Sequence, residues 1–124
     1  PSQIKRVIKA VRSAVGDKLG SAHLHNTMGL GLANALAALE ADIRTFDSSL
    51  GGLGGCPFAP GASGNIVTED LVFLLESQGL RTGIEFDKLI AVRDILAKAL
   101  PDDEIYGHLA SAGLPKGFKP AAAA

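Results

Sequence analysis

Two histidines at alternate positions are the residues of this 124-residue sequence best placed to do chemistry. His23 and His25 lie in residues 21–25, a run that we predict as a β-strand leaving a turn at Gly20. Alternate strand residues project to one face with Cα atoms about 6.5 Å apart, so one ion could take a nitrogen from each ring. The other interpretation is a hydrogen-bonded pair of polar histidines at a strand end, and the spacing leaves both open.

A glycine-rich segment precedes the sole cysteine of the sequence. Four glycines occupy the five positions 51–55, and Cys56 and Pro57 follow them. Such backbone can move or approach a ligand closely, and Pro57 restricts Cys56 to extended conformations. A lone cysteine is often a small buried hydrophobe, but a glycine-rich loop favours a reactive or proton-donating thiol. A phosphate-binding P-loop is excluded because no Gly-Lys-Ser/Thr follows.

Asn65 lies where this loop returns to regular structure. Asparagine is an ordinary turn residue, but its side-chain oxygen could also face a cation. Together, His23, His25 and Asn65 would form a mixed nitrogen and oxygen set compatible with Mg or Mn, with positions left open for substrate.

Residues 29–34 nearly match the glycine fingerprint of dinucleotide-binding folds. Asp47 ends the next predicted strand, where a ribose-binding acid would lie. The last fingerprint position is Asn34 instead of Gly or Ala, and the preceding histidine-rich turn is a poor grip for pyrophosphate. A nucleotide site is therefore the weaker alternative.

Hydrophobic periodicity predicts the elements that must position these residues. The first helix covers residues 4–15, with Ser2 as its cap and Gly16 as its stop. Residues 43–48 form a second strand, since β-branched and aromatic side chains favour strands. Between the two strands, a second helix should bury a narrow stripe of three leucines: Leu32, Leu36 and Leu39.

The long stretch 50–65 is too rich in glycine and proline for a regular element. Thr68 is the predicted cap of a third helix, which ends at Gly79. Residues 87–96 form a fourth helix, and the chain from residue 102 onward is predicted as loop. The third helix should face the core with Leu71, Leu74 and Leu75.

Strands that alternate with helices favour a parallel sheet. Two strands are too few for a stable parallel sheet covered on both faces, so we predict a piece of a larger α/β fold. Leu24, Ile43 and Phe46 should then lack much of their packing, and the chain alone should be poorly folded as a monomer.

The composition excludes several classes of partner. A net charge of -1 predicts no nucleic-acid or membrane partner, and no apolar run approaches the roughly 18 residues that cross a bilayer. One cysteine forms no intrachain disulfide, which favours a reducing compartment. The sequence starts at Pro1, so the lack of a visible signal peptide carries little weight.

Residues 46–65, which include the cysteine loop, are similar to the signature loop of hydroxymethylglutaryl-CoA lyases. Four further stretches resemble the same family: 23–27, 31–34, 68–72 and 82–84. The cysteine loop is highly specific. The His-x-His strand is shared with a wider superfamily of metallolyases and Claisen-condensing enzymes, including isopropylmalate synthases.

The resemblance implies a (β/α)8 TIM barrel, of which this chain holds the last two βα units and the C-terminal helices. Residues 1–118 would be that part of the barrel, and residues 119–124 a disordered or added tail. His23 and His25 would lie at the end of the seventh strand and Asn65 after the eighth, as ligands of a divalent cation, Mg or Mn.

The resemblance also assigns Cys56 to proton transfer from a mobile loop. The implied reaction is the metal-dependent cleavage of 3-hydroxy-3-methylglutaryl-CoA to acetyl-CoA and acetoacetate. The intact enzyme would be a homo-oligomer that binds an acyl-CoA substrate in the cytoplasm, or in the mitochondrial matrix of a eukaryote.

Two alternatives stay open. Asn26 stands where many lyases have Asp and where isopropylmalate synthases often have Asn, so a related acyl-CoA lyase or Claisen-type synthase with another substrate is the nearest. The family's first-strand Asp, Arg and Glu and its sixth-strand Asp have no counterpart here. We therefore expect the isolated chain to be inactive, and a non-catalytic fragment or partner-binding module is the second alternative.

Overall fold

A computed structural model describes residues 1–55 and 58–121 of the chain. Within these residues, five α-helices accompany a short pair of strands, and single 3₁₀ turns cover Gly16–Lys18 and Leu50–Gly52. The elements in chain order are α1 (Ser2–Val15), β1 (Ala22–His23), α2 (Gly31–Glu40), β2 (Phe46–Asp47), α3 (Thr68–Ser77), α4 (Phe86–Ala99) and α5 (His108–Ala112).

The two strands are parallel, as predicted, although each is shorter than the sequence indicated. Ala22 pairs with Phe46 and His23 with Asp47, so both strands end at the same edge. The chain returns past this edge after the glycine-rich loop, where Asn65 forms an isolated antiparallel bridge with His25. The register therefore brings the strand ends and the loop return to one place.

Packing of α1, α2 and α3 on the strands follows mainly from small and β-branched residues. We predicted that leucines would form the buried stripe of α2, but Ala35, Ala37 and Ala38 are the side chains that it buries. Alanine lets a helix approach its neighbours closely, and the leucines of α2 are half-buried. Among the described residues, the apolar clusters centre on Ile8, Ala38 and Ile43, on Ala35, Ile66 and Leu71, and on Val72, Phe86 and Leu109.

The expected loss of packing is wrong for Ile43. Its side chain is 1% exposed, because Ile8 and Ala38 enclose it. Leu24 and Phe46 are half-buried. Exposed apolar side chains lie elsewhere, among them Val7 on α1 at 53% and Ile95 on α4 at 66%. No helix in the described ranges is long and apolar enough to cross a membrane.

Two predicted helix caps are also wrong. Ser2 is the first residue of α1 and follows Pro1, the residue at the cap position. Thr68 is likewise the first residue of α3. Its Oγ1 forms a 2.8 Å hydrogen bond with Oγ of Ser48, the residue that follows β2. The glycine stop at Gly16 is confirmed: its φ is 58°, and its N–H donates to the carbonyl of Arg12.

α5 lies in a segment that we predicted as loop. Its first N–H groups find acceptors in a distant carboxylate, because Asp70 accepts from the N–H of His108 at 2.9 Å and of Leu109 at 2.8 Å. Leu109 is buried against the α3–α4 cluster. Further on, the N–H of Ala121 donates to Oε2 of Glu76 at 2.7 Å. The chain up to residue 121 is thus tied to α3.

Candidate functional site at the strand ends

Two ring nitrogens of the histidine pair have fixed partners. His23 is the last residue of β1 and lies beside Asp47, the last residue of β2, with 2.5 Å between His23 Nδ1 and Asp47 Oδ1. His25 Nδ1 lies 2.9 Å from the carbonyl oxygen of Ser63. A carboxylate and a carbonyl accept hydrogen bonds, so Nδ1 of each imidazole is the donor.

The other nitrogens of the two rings face each other. Nε2 of His23 and Nε2 of His25 are 3.0 Å apart, and the ring centroids are 4.9 Å apart. Because each Nδ1 carries the ring proton, each Nε2 presents a lone pair. Two facing lone pairs at this distance repel each other unless a cation or a second proton neutralises them. The two facing nitrogens can therefore share either a proton, in an Nε2–H···Nε2 hydrogen bond, or a cation.

Asn65 reaches the pair through Asp47. Its Nδ2 donates to Asp47 Oδ1 at 2.7 Å, and its Oδ1 accepts the N–H of Ile66 at 2.8 Å. A carboxamide oxygen has two lone pairs, so one acceptor site of Asn65 remains beside the bond to Ile66. The structure thus places all three residues proposed from sequence, His23, His25 and Asn65, at the same strand edge.

Sequence reasoning missed the part of Asp47, which it weighed as a ribose-binding acid. The hydrogen bond from His23, followed by that from Asn65, lowers the pKa of Asp47 below its ordinary value, so the carboxylate is charged at neutral pH. Its two partners fix it at the strand edge. The available signal was the place of Asp47 at the end of a strand parallel to that of His23.

The donor set fits part of a coordination shell. Two imidazole nitrogens and one carboxamide oxygen are donors that divalent cations accept. Within residues 1–55 and 58–121, no group of three His, Cys, Asp or Glu side chains forms a complete site. His23, His25 and Asn65 would thus hold a cation from one side and leave its other positions to substrate or further ligands.

Hydrogen bonds between backbone N–H groups and side-chain hydroxyls hold the histidine-bearing segment against the loop return. The N–H of Asn26 donates to Oγ of Ser63 at 3.1 Å, and the N–H of Ser63 donates to Oγ1 of Thr27 at 3.2 Å. Oδ1 of Asn26 accepts the N–H of Gly31, the first residue of α2, at 2.8 Å. Asn26 therefore supplies an acceptor to the first N–H of α2, although Leu30 holds the cap position, and an Asp oxygen would serve equally well.

The two ends of the glycine-rich loop lie in close contact. A Cβ added to Gly64 would lie 2.2 Å from the carbonyl oxygen of Gly52, and one added to Gly51, whose φ is 60°, would lie 2.8 Å from the side chain of Ile105. No larger residue fits either position without movement. Oγ of Ser49 also donates to the carbonyl of Leu53 at 2.7 Å. The two ends of the loop are thus held together.

A buried carboxylate also holds the first end of the glycine-rich loop. Glu69 in α3 is 0% exposed, and its two oxygens each lie 3.1 Å from the N–H of Gly51. Nε of Arg93 in α4 is 3.0 Å from Glu69 Oε1, a charge contact in which the N–H is not aligned for a hydrogen bond. The carbonyl of Gly51 accepts the N–H of Tyr106 at 2.7 Å. From its position, Glu69 has the pattern of an ordinary first-turn acid of α3, and sequence reasoning missed this contact.

Cys56, the predicted proton donor, lies outside the described residues. Described residues flank it on both sides, at Gly55 and at Phe58. A cleft of about 690 Å³ lies beside Asn65, and Ser63, Tyr106 and His108 also line it, whereas neither His23 nor His25 does.

Comparisons with known proteins point in one direction. A family model described as HMGL-like matches residues 1–96. An (R)-citramalyl-CoA lyase from Chloroflexus aurantiacus is 47% identical over 100 residues, which are 81% of this chain and 32% of that protein. The human mitochondrial hydroxymethylglutaryl-CoA lyase is 44% identical over 100 residues, 81% of this chain and 31% of that protein. The chain spans about a third of the length of these curated relatives.

Solved structures agree with the sequence relatives. An HMG-CoA lyase from Acinetobacter baumannii, in complex with coenzyme A and 3-methylmalate, superposes with a TM-score of 0.84 and 49% identity. The match covers 97% of this chain and 39% of that structure. A hydroxymethylglutaryl-CoA lyase from Pseudomonas aeruginosa gives a TM-score of 0.81 at 37% identity, over 90% of this chain and 37% of that structure.

Proposed function

Since the chain belongs to the HMGL-like family of lyases, we propose that it supplies the metal-binding edge of a carbon–carbon lyase that cleaves 3-hydroxy-3-methylglutaryl-CoA. The products are acetyl-CoA and acetoacetate. The observation that carries the proposal is the pair of Nε2 atoms 3.0 Å apart, each with its Nδ1 bound to an acceptor.

In this proposal His23, His25 and Asn65 hold a divalent cation, Mg or Mn. When bound, the cation would act as a Lewis acid and lower the pKa of the substrate hydroxyl. The carbonyl of Ser63 accepts a hydrogen bond from Nδ1 of His25. This bond fixes the ring and keeps its Nε2 lone pair directed at the site. We infer that an acyl-CoA substrate reaches this edge through the cleft beside Asn65.

The reaction is a retro-Claisen cleavage. A base removes the proton of the substrate's tertiary hydroxyl, the oxygen forms the keto group of acetoacetate, and the electron pair of the breaking carbon–carbon bond passes to the enolate of acetyl-CoA. We assign to Cys56 the protonation of that enolate at carbon. The assignment rests on the cysteine loop's likeness to the family, and loop closure would also exclude water from the enolate.

A chimaera tests this proposal, because the chain spans about a third of a whole lyase. The chain replaces the matching segment of the Acinetobacter lyase, which is 49% identical to it. We expect cleavage of 3-hydroxy-3-methylglutaryl-CoA that requires Mg or Mn. A folded chimaera that binds Mn²⁺ and cleaves no acyl-CoA would contradict the proposal.

The same chimaera separates the roles of the residues. Replacing Cys56 by Ala should lower kcat by roughly 10²–10⁴, the usual contribution of a proton-transfer group, and leave Mn²⁺ affinity nearly unchanged. Replacing His23 or His25 by Ala should instead weaken Mn²⁺ binding. Equal losses of metal affinity in all three variants would contradict this division.

A second substrate has specific support. The Chloroflexus relative at 47% identity is a citramalyl-CoA lyase, and its reaction also breaks a carbon–carbon bond beside a tertiary hydroxyl. The chimaera should therefore be assayed with (R)-citramalyl-CoA in parallel. Faster cleavage of that substrate would favour the sister activity and leave the metal-binding role intact.

A further inference from the structure

A single carboxylate oxygen joins two of the three candidate ligands. Oδ1 of Asp47 lies 2.5 Å from Nδ1 of His23 and 2.7 Å from Nδ2 of Asn65. The strand register fixes this contact, because Asp47 is the parallel-pair partner of His23. The backbone fixes it on the other side, where the N–H of Ser49 donates to the carbonyl of Ile66 at 3.1 Å and keeps the loop return beside β2.

We propose that Asp47 is a positioning residue that fixes the proton of His23 on Nδ1 and orients the carboxamide of Asn65. This inference rests on the proposed metal-binding role of the two residues. The nitrogen of a neutral imidazole that carries the proton is set by the hydrogen bond it makes. With the proton held by Asp47, the lone pair of His23 is on Nε2, the nitrogen that faces His25.

The structure contains an internal comparison for this role. His25 has the same proton arrangement, but a backbone carbonyl, that of Ser63, sets it. A side-chain substitution at residue 47 therefore removes the orienting acceptor of one ring and leaves that of the other. Removing outer groups that orient metal ligands costs roughly 10–100-fold in metal affinity.

Two variants separate orientation from general disruption. Asp47→Ala removes the acceptor for both His23 and Asn65. Asp47→Asn keeps the size and one acceptor oxygen, which can still take the proton of His23 Nδ1, so it should restore most of the orientation. Asp103→Ala, the same substitution at an exposed carboxylate in a turn, serves as the matched control.

The test reads the ring proton directly, in protein without added metal. Nitrogen-15 NMR of the chimaera, with histidine labelled only in the segment that this chain contributes, is recorded at about pH 8, well above the ordinary histidine pKa, and distinguishes the two neutral forms of each ring. We expect His23 and His25 to carry the proton on Nδ1 in the wild type and in Asp47→Asn. In Asp47→Ala, His23 should shift to the Nε2-protonated form while His25 does not.

Mn²⁺ titration of the same samples completes the experiment. We expect Asp47→Ala to bind Mn²⁺ roughly 10–100-fold more weakly than wild type, with Asp47→Asn between them and Asp103→Ala unchanged. If the His23 proton moves as expected but the wild type does not bind Mn²⁺, the positioning role stands and the proposed function fails. If the wild type binds Mn²⁺ and Asp47→Ala changes neither the His23 proton nor the affinity, the positioning role is wrong.

Discussion

Two polar clusters of this molecule use carboxylates in opposite ways. The strand-end cluster (His23, His25, Asp47 and Asn65) is open to solvent: the side chain of His23 is 59% exposed and that of Asp47 is 54% exposed. The α3 anchor (Glu69 and Asp70) is buried, at 0% and 7% exposure. Both clusters are fixed by hydrogen bonds, but they differ in the lone pairs that remain free to bind a ligand.

In the α3 anchor the carboxylate oxygens accept backbone N–H groups of Gly51, His108 and Leu109, and Arg93 supplies the charge that balances Glu69. In the strand-end cluster, the orienting bonds leave the Nε2 atoms of two rings directed at each other. Satisfied, buried acids stabilise a fold, whereas oriented, exposed donors with lone pairs to spare can bind a ligand. The predictions below test this contrast in order of decreasing effect.

Replacing Glu69 by Ala should destabilise the protein most. Arg93, whose side chain is 15% exposed, would keep a buried, uncompensated charge, and the N–H of Gly51 would lose its acceptor. Breaking a buried ion pair costs about 3–5 kcal/mol in the free energy of unfolding. Urea unfolding measures the loss. Glu40→Ala, at an exposed ion pair with Lys5, should cost under about 1 kcal/mol, and equal losses at the two positions would contradict the burial argument.

Replacing Asp70 by Ala should have the next largest effect. The N–H groups of His108 and Leu109 would lose their acceptor, as when a helix cap is removed, which costs about 0.5–2 kcal/mol. Hydrogen exchange of the α5 amides should rise more than that of the α2 amides. Equal exchange in α5 of the variant and the wild type would show that Leu109 packing alone holds this helix.

Acid should weaken the molecule partly through Glu76. Burial by itself raises the pKa of this carboxyl, but hydrogen bonds from Thr82 and from the N–H of Ala121 outweigh it and the pKa is lowered. The stabilisation is therefore present above the ordinary pKa of Glu and is lost as pH falls through the lower, folded pKa. Urea unfolding of wild type and Glu76→Gln across this range should show a difference that shrinks with acid, and a constant difference would contradict the assignment.

Replacing His23 by Ala should change stability least. Its hydrogen bond with Asp47 is more than half exposed, and exposed polar pairs contribute about 0–1 kcal/mol even when both groups are charged. The free energy of unfolding in urea should therefore stay within about 1 kcal/mol of the wild type. A loss as large as that of Glu69→Ala would place His23 among the structural residues and remove the contrast between the two clusters.

Local sequence patterns were enough for part of this picture. The period of two on a strand placed His23 and His25 on one face, and their facing Nε2 atoms agree with that prediction. Gly16 was predictable as a helix stop because its positive φ is a local property. The parallel order of the two strands followed from their alternation with helices.

Contacts between distant residues could not be predicted in this way. Asp47 meets His23 across 24 residues, and only the strand register decides that they are neighbours. α5 begins where Asp70, 38 residues before His108, supplies an acceptor, so its own five residues carried too little signal. Glu69 has the pattern of an ordinary first-turn acid, and its burial depends on how α4 brings Arg93 to it.

The central claim is that the two strand-end imidazoles bind one divalent cation together, and paramagnetic broadening by Mn²⁺ tests it most directly. The rings are observed in the chimaera, with histidine labelled only in the segment that this chain contributes, and Asp103→Ala is the control variant. We predict that His23 and His25 broaden together at the Mn²⁺ concentrations at which one ion binds per chain. In His23→Ala, the broadening of His25 should need more Mn²⁺, whereas Asp103→Ala should behave as the wild type. Broadening of His25 at the same Mn²⁺ concentration in His23→Ala and in the wild type would contradict the account.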